Sequence, residues 1–385
     1  MSQSFDMSTV QRGARNRRTP YYEATQRYGP KGFTVYNHMY FPIRFDSFEN
    51  EFDALLNRVT LWDVSVERCL EISGPDGFRF AQLLTPRDLS TCAVGQGKYV
   101  LICDADGGIV NDPVLTRMDE HTFWFALASS DALLFARGLK NAYPDLDATI
   151  READVAPLQV QGPKSKDLMA KLLGPEILDL KYYFWTDAKI ADAPVVVTRT
   201  GWTSEVGYEV YLTDTSQGTE VFEAIMEAGE EFGIVPTGPS DIRRIEGAIF
   251  NWGADMTYEH NPLELGLDRL IGWDLPDDTS ISIAALRRIR DEGVSRRIVG
   301  VEFDGEPFPE LNNVKWPARD GTETIGEVTS AIYSPRLERN IGYCWLPADR
   351  SAEGTIVSVE TEWGTRTATV VPMPFVDPDK TIPVS

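Results

Sequence analysis

After about Asp274 the chain changes character, and that change limits its fold more than any other feature. Five short apolar runs follow at close spacing, over 298–303, 326–330, 341–345, 355–360 and 366–371. Runs of this kind, separated by turn signals, predict a small antiparallel barrel or sandwich. Residues 281–292 precede them as one helix, with Ile283, Leu286 and Ile289 on its apolar side. Upstream, from Thr19 to about Ile271, helix and strand patterns alternate irregularly. A short helix is expected over 76–84, a buried strand over 122–128, and a helix over 163–173 that opens on Pro163 and stops before Gly174. Residues 195–199 and 208–212 read as a hairpin, and 219–232 as an amphipathic helix stopped by Gly233. The class is α+β. A chain of 385 residues is too long for one ordinary core. The expected division is a loosely held Arg-rich arm over 1–20, a mixed region over 21–275, and a barrel-like domain over 276–385.

Charge narrows the partners. Lys and Arg number 37 against 59 Asp and Glu, a formal net charge of −22. Such a surface repels phosphate backbones, so nucleic acid is not an expected partner. The basic N-terminal residues are followed by no apolar run, and no stretch approaches the ~20 apolar residues of a membrane helix. The expectation is a cytoplasmic protein without a membrane partner. Cys69, Cys92, Cys103 and Cys344 are too scattered for a disulfide framework and form no C-x-x-C pair, so buried thiols are expected. His38 reads as a structural histidine, and His121 and His260, beside Glu120 and Glu259, as exposed ones. With so few soft ligands, no metal is expected. The familiar phosphate-loop, dinucleotide, hydrolase and zinc-protease signatures are absent.

Two constellations carry more information. In the first, Gly97-Lys98-Tyr99 and Ile109 to Val114 flank an Asp106-Gly107-Gly108 turn. A hairpin there brings Tyr99 and Asn111-Asp112 onto neighbouring strands and toward one cavity. The second runs from Arg199 to Tyr211, with Gly201 and Gly207 expected to permit a backbone path closed to other residues. Period two sets Glu209 and Tyr211 on one strand face. A carboxylate and aromatics converging there suit a planar heterocycle that donates hydrogen bonds.

Together these segments resemble the aminomethyltransferase (glycine cleavage T-protein) superfamily of folate-dependent one-carbon enzymes. The likeness lies in Asp63-Val-Ser65, Gly97 to Tyr99, Gly107 to Asp112, Val160-Gln-Gly-Pro163, Arg199 to Glu209, Ser334-Pro335 and Ile341-Gly-Tyr343. It spans roughly residues 30–375. More specifically, Thr34 to Met39, Trp62 to Arg68, Lys98-Tyr99, Asn111 to Val114 and Trp202 resemble the folate-dependent dimethylsulfoniopropionate demethylases.

The resemblance implies a ring of three subdomains around a central folate channel, the third being the barrel-like C-terminal part. It implies tetrahydrofolate as methyl acceptor, with Glu209 taking hydrogen bonds from the pterin and Tyr99, Asp112 and Trp202 near the folate. Tyr36 and Tyr211, with Phe184 or Trp185, would border the methyl donor, and Lys98 or Arg244 would pair with a donor carboxylate or the folate glutamate tail. No residue is expected as a strong acid or base; Asn111, Asp112 and Tyr211 would position the reactants. The T-protein carries an Asp where this chain has Asn111, and an amide cannot exchange a proton near neutral pH. The reaction this favours is methyl transfer from a sulfonium to tetrahydrofolate. The alternatives are an aminomethyltransferase, which would need a lipoyl protein partner, a demethylase of an N-methyl or O-methyl donor, and a non-catalytic folate-binding regulator. A homodimer stays open.

Overall fold

The strand Ala156–Gln161, A-P-L-Q-V-Q, is buried at all six positions, and it holds the centre of the molecule. It lies in a six-stranded sheet of order Trp185–Ile190, Ala193–Thr198, Gly207–Leu212, Ala156–Gln161, Val59–Asp63, Ile234–Thr237. All pairs are antiparallel except the last. Alternation sorts the two faces. Leu158, Val160, Val197, Val210 and Leu212 pack with Leu168, Val221, Phe222 and Ile225 of the helices Ser165–Leu173 and Gly218–Gly229. The opposite face carries Gln159, Gln161, Thr198, Glu209 and Tyr211. The structure, a computed structural model, describes residues 13–385.

A five-stranded sheet repeats this plan, in the order Thr149–Glu152, Cys69–Ser73, Phe123–Ala126, Val114–Arg117, Gly97–Tyr99. Leu70, Ile72, Leu115, Phe123 and Phe125 pack with the helices Gly77–Leu84 and Ala132–Ala142. Trp124 points the other way and tilts against Tyr211, their ring centroids 6.1 Å apart. The two sheets therefore meet through their polar and aromatic faces.

The C-terminal strands close a six-stranded antiparallel barrel, Arg296–Phe303, Arg339–Pro347, Glu323–Ser334, Trp316–Asp320, Ile356–Thr361, Gly364–Val371. Val301, Trp316, Val328, Cys344, Val359 and Val370 fill it. The strand Trp316–Asp320 had no counterpart among the five expected runs, because Pro317 reads as a strand breaker. Arg244 fastens the barrel to the rest. It lies on the helix Asp241–Glu246, bonds Asp255 at 2.8 Å, and donates to Ser330 Oγ of a barrel strand at 3.0 Å.

Residues 1–12 of the expected arm lie outside the described residues. Its remainder is tied down: the Arg17 N–H donates to the His38 carbonyl at 2.7 Å, and buried Thr19 donates to Asp63 at 2.5 Å. All four cysteines are free and buried. Two histidine expectations are corrected. His260 is buried, stacked on Trp345 with its Nδ1 accepting from the Thr257 N–H, whereas His38 sits exposed in a hairpin turn at φ +64°. No helix among the described residues is long and apolar enough to cross a membrane.

Candidate active site

Glu209 is buried at the meeting of the two sheets, its carboxylate held from four sides. Oε2 accepts from Thr200 at 2.6 Å, Tyr211 at 3.1 Å and Thr198 at 3.4 Å; Oε1 accepts from the Gln159 carboxamide at 2.8 Å. Such a web fixes the carboxylate's direction without an ion pair. Glu209 and Tyr211 share one face, as alternation requires.

The adjoining turn is built around Gln161. Its carboxamide donates to the carbonyls of Thr200 and Tyr208 and accepts from Thr203 Oγ1 at 2.7 Å. A Cβ on Gly201 or Gly207 would overlap that carboxamide. The expected reason for these glycines is thereby corrected. Neither has a positive φ, so they serve close approach and not a special backbone path. Trp202 is half-buried in this turn.

Across the cleft, Tyr99 donates to Asp112 at 3.1 Å, so the hairpin brings these two together as its turn chemistry implied. Burial pushes the Asp112 carboxyl up to about 7. Burial also raises the Tyr99 phenol well above its usual value, and Asp112 adds to this while Arg269 opposes it. Tyr36 reaches the same space: burial raises its phenol, and Glu67 and Asp112 raise it further.

Glu67 was assigned no role from the sequence. Its carboxyl is pushed well above the usual range, first by burial and then by Glu209 and Asp112. Three carboxyls and three tyrosines thus converge. Asn37 and Tyr183 also went unassigned. The Asn37 carboxamide donates to the Val66 and Leu127 carbonyls at 3.0 and 3.2 Å, which seats the Tyr36 hairpin beside Glu67. Tyr183, at φ +64°, stacks edge-on with Tyr182 at 4.7 Å. A bulky residue in the left-handed region is a strained arrangement of the kind found at ligand sites.

Four expected site residues, Lys98, Arg244, Trp185 and Asn111, spend their polar groups elsewhere. Lys98 bonds Thr91 Oγ1 at 2.6 Å, on the strand face opposite Tyr99. Arg244 is corrected as a donor-carboxylate partner, because all its nitrogens are spent on Asp241, Asp255 and Ser330. Trp185 gives its indole N–H to the Arg117 carbonyl at 3.1 Å. The neighbouring Phe184 is half-buried and bridges to Gln96 through its backbone, which leaves its place beside the donor an expectation. Asn111 is fully buried, donating to the Ala128 carbonyl and Ser130 Oγ and accepting from the Ala128 N–H. It shapes the loop that carries Ser129, whose Oγ in turn accepts the Asn37 N–H at 3.1 Å.

The two sheets meet over tyrosines and the oriented Glu209 carboxylate, beside a closed barrel, as expected of the folate-dependent one-carbon transferases that the sequence resembles. The family models agree: the GCVT N-terminal domain matches residues 6–275 and the glycine cleavage T-protein C-terminal barrel domain matches 296–377. The chain belongs to the glycine cleavage T-protein family. It is 35% identical over 94% of its length, and 98% of the relative's, to a dimethylsulfoniopropionate demethylase of Ruegeria pomeroyi. It is 31% identical over 93% of its length, and 97% of the relative's, to an aminomethyltransferase of Symbiobacterium thermophilum. Its fold matches the glycine cleavage system aminomethyltransferase T of Bartonella henselae with a TM-score of 0.83, at 22% identity over 94% of this chain and 98% of the other.

Tetrahydrofolate, which the family implies, fits the donors and acceptors present. Its pterin ring offers N–H groups, and next to Glu209 is Gln159, whose buried acceptor Oε1 has no partner among the described residues.

Proposed function

We propose that this chain is a tetrahydrofolate-dependent demethylase of dimethylsulfoniopropionate, yielding methylmercaptopropionate and 5-methyltetrahydrofolate. The observation that carries the reading is Asn111. Where the T-protein has an Asp assisting aminomethyl chemistry, this chain has a buried amide whose hydrogen bonds are all made to backbone and Ser130. The likeness to the Ruegeria pomeroyi demethylase supports the sulfonium.

When bound, tetrahydrofolate would supply N5, whose lone pair would take the methyl carbon as the S–CH3 bond breaks and the thioether departs neutral, the N5 proton then passing to water. No protein acid is needed at that leaving group. Glu209 holds the pterin by its N–H donors, with Tyr99, Asp112 and Trp202 bordering the ring. The tyrosine faces of Tyr36 and Tyr211 wall the donor, each desolvated cation–π contact contributing up to ~2 kcal/mol. Positioning of two bound reactants supplies roughly 7–11 kcal/mol of the barrier reduction. Charge leaves sulfur in the transition state, so an ionised carboxylate against it would stabilise the ground state more. Burial answers this by biasing Glu67 and Asp112 toward their neutral acids. Arg269, exposed and close enough to lower the Tyr99 phenol, would be a candidate to meet a folate glutamate tail.

The test is an assay of purified protein with tetrahydrofolate and dimethylsulfoniopropionate, following 5-methyltetrahydrofolate and the thioether together. A second reading, aminomethyl transfer, is favoured by Asp112, whose carboxyl near 7 can exchange a proton. It predicts activity with an aminomethyl-lipoyl donor and none with the sulfonium.

A further inference from the structure

Gln159 is 1% exposed and lies mid-strand, paired with Glu209 on one side and Trp62 on the other. Its carboxamide orientation is dictated. A carboxylate only accepts, so the Gln159 NH2 must face Glu209 Oε1, 2.8 Å away, and the carbonyl must point elsewhere. That carbonyl oxygen has no partner among the described residues. Buried acceptors without donors are rare and costly, and each calls for a physical reason.

Among the described residues, the neighbouring donors are spent on other partners. The Trp62 indole N–H is spent on Thr60 Oγ1 at 2.6 Å, and the Gln161 amide is spent on the carbonyls of Thr200 and Tyr208. Glu209 itself is unevenly loaded, with three donors on Oε2 and one on Oε1. Of these two hydrogen-bonded side chains, Glu209 Oε1 accepts a single donor and Gln159 Oε1 accepts none. The ligand edge that complements them carries adjacent N–H donors. The pyrimidine half of a pterin has such an edge, in N3–H and the 2-amino group.

We propose that Gln159 is a second pterin-binding residue, its carbonyl accepting from the 2-amino group while Glu209 takes the neighbouring ring N–H. This rests on the folate reading given above. Glu209 alone would accept many N–H ligands; the added carbonyl selects a 2-amino-4-oxo ring over one with hydrogen or methyl at that carbon.

The experiment measures dissociation constants of wild type and Gln159→Leu for tetrahydrofolate and for its 2-desamino-2-methyl analogue. Wild type should prefer tetrahydrofolate strongly. Gln159→Leu should lose roughly tenfold to a hundredfold for tetrahydrofolate, yet bind the analogue about as wild type does. Equal weakening toward both ligands, or none, overturns the proposal, since Gln159 would then only orient Glu209 or do nothing. Wild type that binds no tetrahydrofolate overturns the folate reading instead. A crystal of wild-type protein with tetrahydrofolate keeps the question open to test should the variant not fold. The 2-amino nitrogen is expected within about 3.2 Å of Gln159 Oε1, and a water there in its place refutes the contact.

Discussion

The side chain of Asn111 clasps the backbone of Ala128 at two points, donating to its carbonyl at 3.0 Å and accepting from its N–H at 3.1 Å. Only an amide can do both, because an ionised carboxylate has nothing to donate. Asn111→Asp should therefore lower stability by about 2–3 kcal/mol or more, as a buried charge facing a carbonyl. It should not increase methyl transfer from the sulfonium. Denaturant midpoints and initial rates measure the two effects, and a large gain in rate would mean that a base had been lacking.

Glu209→Gln preserves shape but removes the charge that the pterin N–H groups meet. Charged hydrogen bonds contribute about 1.5–3 kcal/mol, so tetrahydrofolate affinity should fall roughly tenfold to a hundredfold. Titration calorimetry reads this directly. Unchanged affinity would move the pterin away from this strand.

Two glycines should respond oppositely to alanine. A Cβ on Gly201 overlaps the Gln161 carboxamide, so Gly201→Ala should destabilise the protein and weaken folate binding together. Gly138 is exposed inside the helix Ala132–Ala142 with open space around it, so Gly138→Ala should stabilise by up to about 1 kcal/mol. Thermal melts of both variants test the contrast.

Asp112 gives stability a pH dependence. Its carboxyl titrates near 7 in the fold against an ordinary aspartate value of 3.8. Between those values the folded chain keeps a proton that the unfolded chain has released. This contribution is complete below about pH 4, is lost as pH rises to about 7, and stays lost above. Asp112→Asn should flatten that decline. Urea midpoints of wild type and variant across pH 4.5–8 should diverge in slope, and parallel curves would contradict the placement of this group.

Much of the architecture was legible because it rests on local signals. Gly233 ends its helix in the left-handed region at φ +69°, and the strands flanking Gly201 and Gly207 pair as a hairpin. The barrel was visible as closely spaced runs, short of the strand that Pro317 concealed. Glu209, Tyr211, Tyr99 and Asp112 meet because strand alternation and turn chemistry fix their directions. Arg244 was read as a ligand partner since sequence shows its charge but not Asp255 and Ser330, which come from a distant loop and a barrel strand. Glu67 and Gln159 look like ordinary polar residues until the fold surrounds them. One signal was available: the alternation Gln159-Val160-Gln161 puts two carboxamides on one face of an otherwise apolar strand.

The most direct test of the account is a donor panel. Purified protein is incubated with tetrahydrofolate and, separately, dimethylsulfoniopropionate, a quaternary methylammonium and a methoxyaryl compound, and 5-methyltetrahydrofolate is quantified. The account predicts methylfolate from the sulfonium, matched one to one by methylmercaptopropionate, with no comparable product from the others. Methylfolate from the quaternary amine and none from the sulfonium would contradict it.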